Sequence, residues 1–392
     1  MDQRNKTIVT FGGWYQRTTL HLSEIYGFLA SGFTQLDLSK EKLQELRQKM
    51  DLKEVTRETG SLEYVKAQTN SGIQIRYYED GLYILELYTG NIEEAAATLK
   101  QYFEEVFNPG ISYIFSLGAP TPKVLANIQT EHPTVISVTA DDPSSYQIDP
   151  HKFGGVYSQV TSQGVTVFKT RNYIFIVTDS SRETVAQDLV DMQIFFREFK
   201  DQLEKYLNIH RKIWEEISAI KERSFIKGSE VENVRTKLDS YQKTINLIGS
   251  RINQMNAYIH TRASIAKGVK IETQLVSLFQ YKFEVLSDTH SYIKEIWRMT
   301  ADYLSTAIDV VKDIENRGLN NNIRSLQVIT SIGVLSGILG YLGRDTLPKI
   351  TYPGLIYFFI LLIVIWPINY GINLIYKNHK YKITFPERAT NI

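Results

Sequence analysis

Two stretches late in the chain constrain its fold more than anything else in it. Residues 325–343, "SLQVITSIGVLSGILGYLG", run for about 19 residues without a charge, and residues 350–376 for about 27. Crossing ~30 Å of hydrocarbon takes about 20 apolar residues in a helix. Only 344–349 separates the two runs, so the pair is expected to be a C-terminal two-helix transmembrane hairpin, TM1 about 325–343 and TM2 about 350–376. The alternative is a buried helical hairpin of a soluble domain, but "LIYFFILLIVIWPINYGINLIY" is apolar on all sides, which a soluble helix rarely is. Arg317 and Arg324 precede the hairpin and Lys377, Lys380 and Lys382 follow it, against Arg344 and Lys349 in the connector. That bias puts both termini in the cytoplasm of a multi-pass protein of the inner membrane. Tyr352, Tyr357, Trp366, Tyr370 and Tyr376 supply interface anchors.

Composition excludes more than it proposes. The net charge of +1 offers no global case for nucleic acid. The absence of cysteine removes disulfides and thiolate metal sites and fits a reducing compartment. The start, "MDQRNKTIVTFGGW", lacks the apolar run of a secretory leader, so none is expected.

Residues 1–180 read as a mixed α/β cytosolic domain, the expected ligand-sensing part. Strand signals are "TIVTF", "GIQIRYY", "LYILELY", "ISYIF", "TVISVT", "GVTVF" and "YIFIVT", with Glu79-Asp80-Gly81 as a hairpin turn between two of them. Amphipathic helices are expected at 40–50 and 92–107, the second closed by Asn108-Pro109-Gly110, and 140–155 reads as a loop. From about 181 to 322 the pattern becomes a long helical stalk bundle, in stretches 182–226, 229–266 and 270–317 broken at Lys227-Gly228 and Lys267-Gly268. Residues 379–392 form a cytosolic tail.

The third stretch is two-faced. At 100° per residue, Ser291, Asp302, Thr306, Asp309 and Asp313 lie within about 40° of Glu295, and Ile293, Ile296, Trp297, Leu304, Ile308 and Val311 lie opposite. Glu295, Asp302, Asp309 and Asp313 thus form an acidic stalk face. It is either an ordinary solvated face or, in a ring of subunits, the lining of a vestibule that concentrates cations. Extending the face places Asn320, Gln327 and Ser331 on the same side with Ile323 at its edge, as pore-lining candidates. A phase shift at Gly318 would select Asn321, Ser325 and Ile332 instead.

Catalytic chemistry is missing from the pattern. The seven histidines show no metal-ligand spacing, and Gly12-Gly13 lacks the further glycines of a dinucleotide turn. His21 and Ser23 have no third partner, and Asp141-Asp142 reads as a loop cap, so no enzyme is expected. "FGGWYQRTTLHL" (11–22) offers Trp14 to stack on a base and Arg17 to pair with phosphate. Its other reading is a tight turn entering a helix, with the aromatics in a core.

A long N-terminal part, a long helix running into the first apolar stretch, a short connector, a second stretch and a basic tail together resemble the CorA family of two-helix magnesium channels. "NNIRSLQVITSIGVLSGIL" is similar to a CorA inner helix, over roughly 180–382 by architecture. The resemblance implies an α+β membrane protein assembled as a homopentamer in the lipid bilayer. The family's Gly-Met-Asn is absent; Gly340-Tyr341-Leu342-Gly343-Arg344-Asp345 stands in its place. Arg344 and Asp345 would sit at the pore mouth, where an arginine ring repels a divalent ion. A subgroup of CorA-like proteins without that motif accompanies type III CRISPR systems, and the chain is similar to it, including the start "TIVTFGGWYQRTTLHL". That resemblance implies an antiviral effector: a ligand-gated channel opened by a nucleotide second messenger, S-adenosylmethionine joined to AMP (SAM-AMP). No tightly bound cofactor, a divalent cation at most, and no direct nucleic-acid partner are implied. Competing expectations are a divergent divalent-cation (Mg2+) transporter and a membrane-tethered scaffold.

Overall fold

Alternating side chains in the first half of the chain build a nine-stranded sheet. The structure is a computed structural model describing residues 6–15, 21–60, 62–117, 132–342, 352, 356, 363, 367, 370, 371, 374, 375 and 377–382. Between 318 and 342 it describes side chains only at 323, 326, 327, 329–331, 333, 334 and 337.

Among the described residues the strands are β1 (Thr7–Trp14), β2 (Leu52–Glu58), β3 (Tyr64–Thr69), β4 (Gln74–Tyr78), β5 (Leu82–Tyr88), β6 (Thr134–Thr139), β7 (Ser158–Ser162), β8 (Val165–Lys169), β9 (Tyr173–Thr178), β10 (Phe225–Lys227) and β11 (Lys380–Lys382). The helices are α1 (Leu22–Ser31), α2 (Lys40–Lys49), α3 (Ile92–Tyr102), α4 (Asn108–Ile114), α5 (Pro150–Phe153), α6 (Glu183–Lys221), α7 (Gly228–Gly268), α8 (Glu272–Phe279) and α9 (Phe283–Leu342). The large sheet runs β2-β3-β4-β5-β1-β6-β9-β8-β7, antiparallel except where β6 meets β9. Two compact units result: Met1–Ile209 with Leu247–Ile296, and His210–Asn246 with Trp297–Ile392.

In the first unit, one sheet face presents Val9, Val65, Ala67, Ile75, Tyr77, Leu85, Val138 and Phe175 to Phe28, Leu43, Met50, Leu99, Phe107 and Ile111 of the short helices. Ser39 starts α2 by accepting the Lys42 amide at 3.2 Å, and Asn91 starts α3 through Glu94. The opposite sheet face receives α6, where Ile194 and Phe199 lie over Gly12 and Trp14, and α7, through Tyr258 and Arg262. The first turns of α9 join them: Phe283 packs on Phe196 at 4.6 Å, and His290 meets the Ile252 carbonyl at 2.6 Å.

The second unit holds the end of α6, the start of α7 and α9 from Trp297. Ile213, Ile217, Leu238, Leu304, Ile308 and Val311 are buried there. Trp214 stacks on Tyr303 at 4.4 Å, and Lys221 caps the same tyrosine ring at 3.9 Å. Strand β11 pairs with β10 in the α6–α7 connector, with Ile226 opposite Tyr381.

Several expectations are corrected. The fold is α+β, but the C-terminal transmembrane hairpin is not seen: among the described residues, no helix is long and apolar enough to cross a membrane. Residues 325–342 are the end of α9, whose described side chains include Gln327, Thr330 and Ser331. Most of 350–376, and Arg344 and Asp345, lie outside the described residues. The inner-membrane localisation and the description as an ion channel are withdrawn on that finding. "ISYIF" is helical rather than a strand: Pro109 sits at the first turn of α4, where its missing N–H costs nothing. The helix therefore does not close at Asn108-Pro109-Gly110, but passes through a π turn at Phe103–Phe107 and continues.

Candidate functional site: a polar groove and a buried ionic cluster

The cross-strand register places polar side chains on the face that α6 and α7 cover. Thr56, Lys66, Arg76 and Ile84 form one row across β2 to β5, and Glu54, Gln68, Gln74, Glu86 and Thr10 form the next, reaching β1. Directly opposed residues share a face, so both rows point to the helices.

Where α6 lies over this face, the polar side chains meet charges from far along the chain. Arg76 donates to both oxygens of Asp191 at 2.9 and 3.0 Å, to Glu86 at 2.9 Å and to the Tyr78 hydroxyl at 3.1 Å. The Tyr78 hydroxyl donates in turn to Asp191 at 2.6 Å. Beside this knot, Arg262 of α7 grips Asp80 of the β4–β5 turn through Nε at 2.7 Å and Nη2 at 2.9 Å. Its guanidinium lies 4.7 Å from the Tyr78 ring centre. Asp80 also accepts the Leu82 amide, so the turn that Gly81 shapes at φ +87 doubles as an anion for α7.

A buried charge survives only when paired and hydrogen-bonded. Asp191 takes the bidentate contact from Arg76. Burial pushes the Glu86 carboxyl up despite Arg76 beside it, and it raises Tyr78 well above the usual phenol range. Asp188, one helical turn before Asp191, is raised to about 6, first by burial and then by the Asp191 charge.

Beyond the helices, towards β2, the same face stays open. There a groove of about 170 Å³ is lined by Glu54, Thr56, Glu58, Lys66, Gln68 and Gln74. Thr56 donates to Glu58 at 2.8 Å. The second row continues inward from the groove, through Gln74 and Glu86 to Thr10, which is 1% exposed and whose hydroxyl has no hydrogen-bond partner among the described residues. The groove is thus the outer end of a polar track whose inner end is the ionic cluster. It can hold a small polar molecule through amide, carboxylate and ammonium groups.

The candidates from 11–22 are placed differently from their reading as a ligand clamp. Gly12 and Gly13 are not a turn but lie inside β1, where a Cβ on Gly13 would come within 2.8 Å of the Tyr83 ring and one on Gly12 within 2.9 Å of Ile194. Close approach of neighbours is what strand glycines permit. The Trp14 indole stacks on Phe199 at 5.4 Å, meets Phe195 and Tyr258 edge-on, and donates to the Asp80 carbonyl at 2.6 Å. Arg17 lies outside the described residues.

On α9, Glu295, Asp302, Asp309 and Asp313 are exposed, and Asp302 pairs with Arg298 at 3.1 Å. Ile293, Trp297, Leu304, Ile308 and Val311 are buried on the other side. Ile323, Gln327 and Ser331 are exposed; the Asn320 side chain lies outside the described residues. Asp142 accepts the Ser144 amide at 3.0 Å, as a loop cap does. Sequence reasoning missed the groove and the cluster, although the alternation in "YVKAQT" and "QIRYY" carried a signal: one polar residue at every second position of strands otherwise apolar.

A second polar group borders β1. Arg197 donates to the carbonyls of Gly12 and Pro133 at 2.9 Å, and Glu198 faces His132 at 3.4 Å. Burial, then Arg197, pushes His132 down to about 4. Among the described residues no group of three or more His, Asp or Glu is placed to hold a metal ion. No protein-family model and no curated protein matches the sequence.

Proposed function

We propose that this protein is a ligand-responsive regulator without catalytic chemistry of its own, in which a small polar molecule in the β2–β4 groove changes the state of α6 and α7. The observation that carries this reading is the ionic cluster. It joins the β4–β5 hairpin to α6 through Arg76–Asp191 and to α7 through Asp80–Arg262. Buried ion pairs have few acceptable arrangements, because each charge must keep a partner. A ligand that pulls on Gln74 or Glu86 therefore biases which arrangement the helices adopt, which is the physical content of coupling.

The ligand class follows the resemblance: a nucleotide conjugate such as SAM-AMP, of which a groove of about 170 Å³ takes one polar end and leaves the rest outside. Gln68 and Gln74 offer both donors and acceptors to a base, Lys66 a partner for phosphate, and the two glutamates a counter-charge for a sulfonium or amine. Assembly as a homopentamer stays part of the proposal. The pore and the bilayer do not, since no described helix is long and apolar enough to cross a membrane.

The test is hydrogen exchange on the full chain with SAM-AMP, and with S-adenosylmethionine and AMP separately. Protection is expected in β3 and β4 and along α6. Glu58→Gln with Lys66→Gln should weaken binding about tenfold, and Asp191→Asn should leave binding intact while abolishing the response of α6. A conjugate that changes exchange nowhere between 52 and 88 refutes the reading.

A further inference from the structure

The two-stranded sheet of the second unit forces like charges together. Its register sets Lys227 directly opposite Lys380, and Phe225 opposite Lys382. The residues between them, Ile226 and Tyr381, are 1% and 8% exposed. Successive side chains alternate across a strand, so Phe225, Lys227, Lys380 and Lys382 share the outer face. All three lysines are exposed there, and Phe225 is 53% exposed beside them. Among the described residues none of the three takes part in an ion pair. Glu230, the nearest acid along the chain, faces Arg223 at 4.0 Å instead.

Like charges directly opposite one another destabilise a strand pair. Each strand has only three residues, so the ladder has little to set against that repulsion. An anion between the ammonium groups reverses the sign of the effect.

We propose that this face binds a free polyphosphate group, as in pyrophosphate or the tail of a nucleoside triphosphate. Opposed residues stand about 5 Å apart, and alternate residues of one strand about 7 Å. That spacing suits one compact anion with several charged oxygens. Each ammonium offers three donors and acts on phosphate as a point charge. Lipid surfaces are met by clusters of about four to eight basic residues, and this face has three; the chain's net charge of +1 gives no wider field for an extended polyanion. The site lies in the other compact unit from the β2–β4 groove and does not depend on it.

The experiment is calorimetric titration of the full chain with inorganic pyrophosphate at low salt, with thermal melts in parallel. Saturable binding is expected, weakened at least about tenfold by Lys227→Gln and by Lys380→Gln and kept by Lys227→Arg. Without pyrophosphate, Lys380→Gln should raise Tm by about 1–2 °C because the opposed pair is gone, and adding pyrophosphate should remove that advantage. Three results overturn the proposal: no saturable binding, an equal loss in the exposed control Lys100→Gln on α3, or binding of phosphatidylglycerol vesicles in place of pyrophosphate.

Discussion

The two units use the same ion types in opposite surroundings. In the sheet unit, the Arg262 and Asp80 side chains are 2% and 1% exposed, and Arg76 shares a dry interior with Asp191 and Glu86. In the second unit, Arg235 reaches Glu315 at 2.7 Å and Lys237 reaches Glu216 at 2.7 Å, with side chains 31–52% exposed. The distances match, but the consequences do not. Water already solvates the exposed groups, so pairing them gains little. Each buried ion has its opposite charge in the other, with neutral donors such as the Leu82 amide and the Tyr78 hydroxyl beside it, so losing one ion strands its partner's charge. In the second unit cohesion comes from apolar helix faces and the Trp214–Tyr303 stack, and in the sheet unit ion geometry is part of how helices are held to strands.

The sharpest way to break this comparison is Arg262→Ala, which leaves the Asp80 carboxylate buried without its cation. Chemical denaturation should show a loss of about 3–5 kcal/mol. A loss as small as that of a surface pair would mean that the buried pair holds the helix no more firmly than an exposed one, and the contrast between the units would collapse.

Gly13→Ala comes next. The new methyl meets the ring of Tyr83, which is 7% exposed and has little room to swing aside. Overpacking of this kind costs about 1–3 kcal/mol. The urea midpoint measures it, and Tyr83→Phe in the same chain should recover part of the loss by removing the hydroxyl.

Two pH effects of opposite sign sharpen the account of the sheet unit. Asp188 goes from the usual 3.8 to about 6 on folding, so between those values the folded state binds the extra proton and stability falls as pH rises. His132 goes from 6.5 to about 4, so in that window the unfolded state binds the extra proton and stability rises with pH. The two slopes oppose each other between pH 4 and 6. Asp188→Asn should make Tm climb more steeply with pH across that range and raise stability at pH 7, and His132→Gln should do the reverse to the slope. Parallel melts at pH 4, 5, 6 and 7 separate them, and unchanged slopes in both variants would remove these groups from the pH response.

The smallest effect belongs to the second unit. Arg235→Ala should change stability by less than about 1 kcal/mol, with that difference shrinking in high salt. A loss near that of Arg262→Ala would show that the surface pair holds the helices as the buried one does.

What the amino-acid sequence determined by itself is the part set by local periodicity. A spacing of two in "YIFIVT" and "LYILELY" is enough to identify β9 and β5, and 100° per residue sorts Asp302 and Asp309 from Leu304 and Ile308 on α9 with no partner known. The amphipathic pattern of 40–50 marks α2 for the same reason, since the contacts that hold it, Ser39 to the Lys42 amide and Glu45 to Lys42 and Lys49, all lie within one or two turns. Tertiary structure decided whatever depends on who arrives opposite. Arg76 meets Asp191 across 115 residues, and Asp80, legible only as a turn residue, becomes the counter-ion of Arg262 across 182. Gly12-Gly13 reads as a turn when taken alone, yet stays a strand because Tyr83 and Ile194 need the space its missing side chains leave. In sequence Lys227 reads as part of a helix break and Lys380 and Lys382 as part of a basic tail, and only the pairing of 225–227 with 380–382 brings them face to face. Periodicity acts over a few residues and is written in the chain, but the energy of a charge depends on its partner and its exposure to water, and those exist only once strands have found their register and helices their sheet.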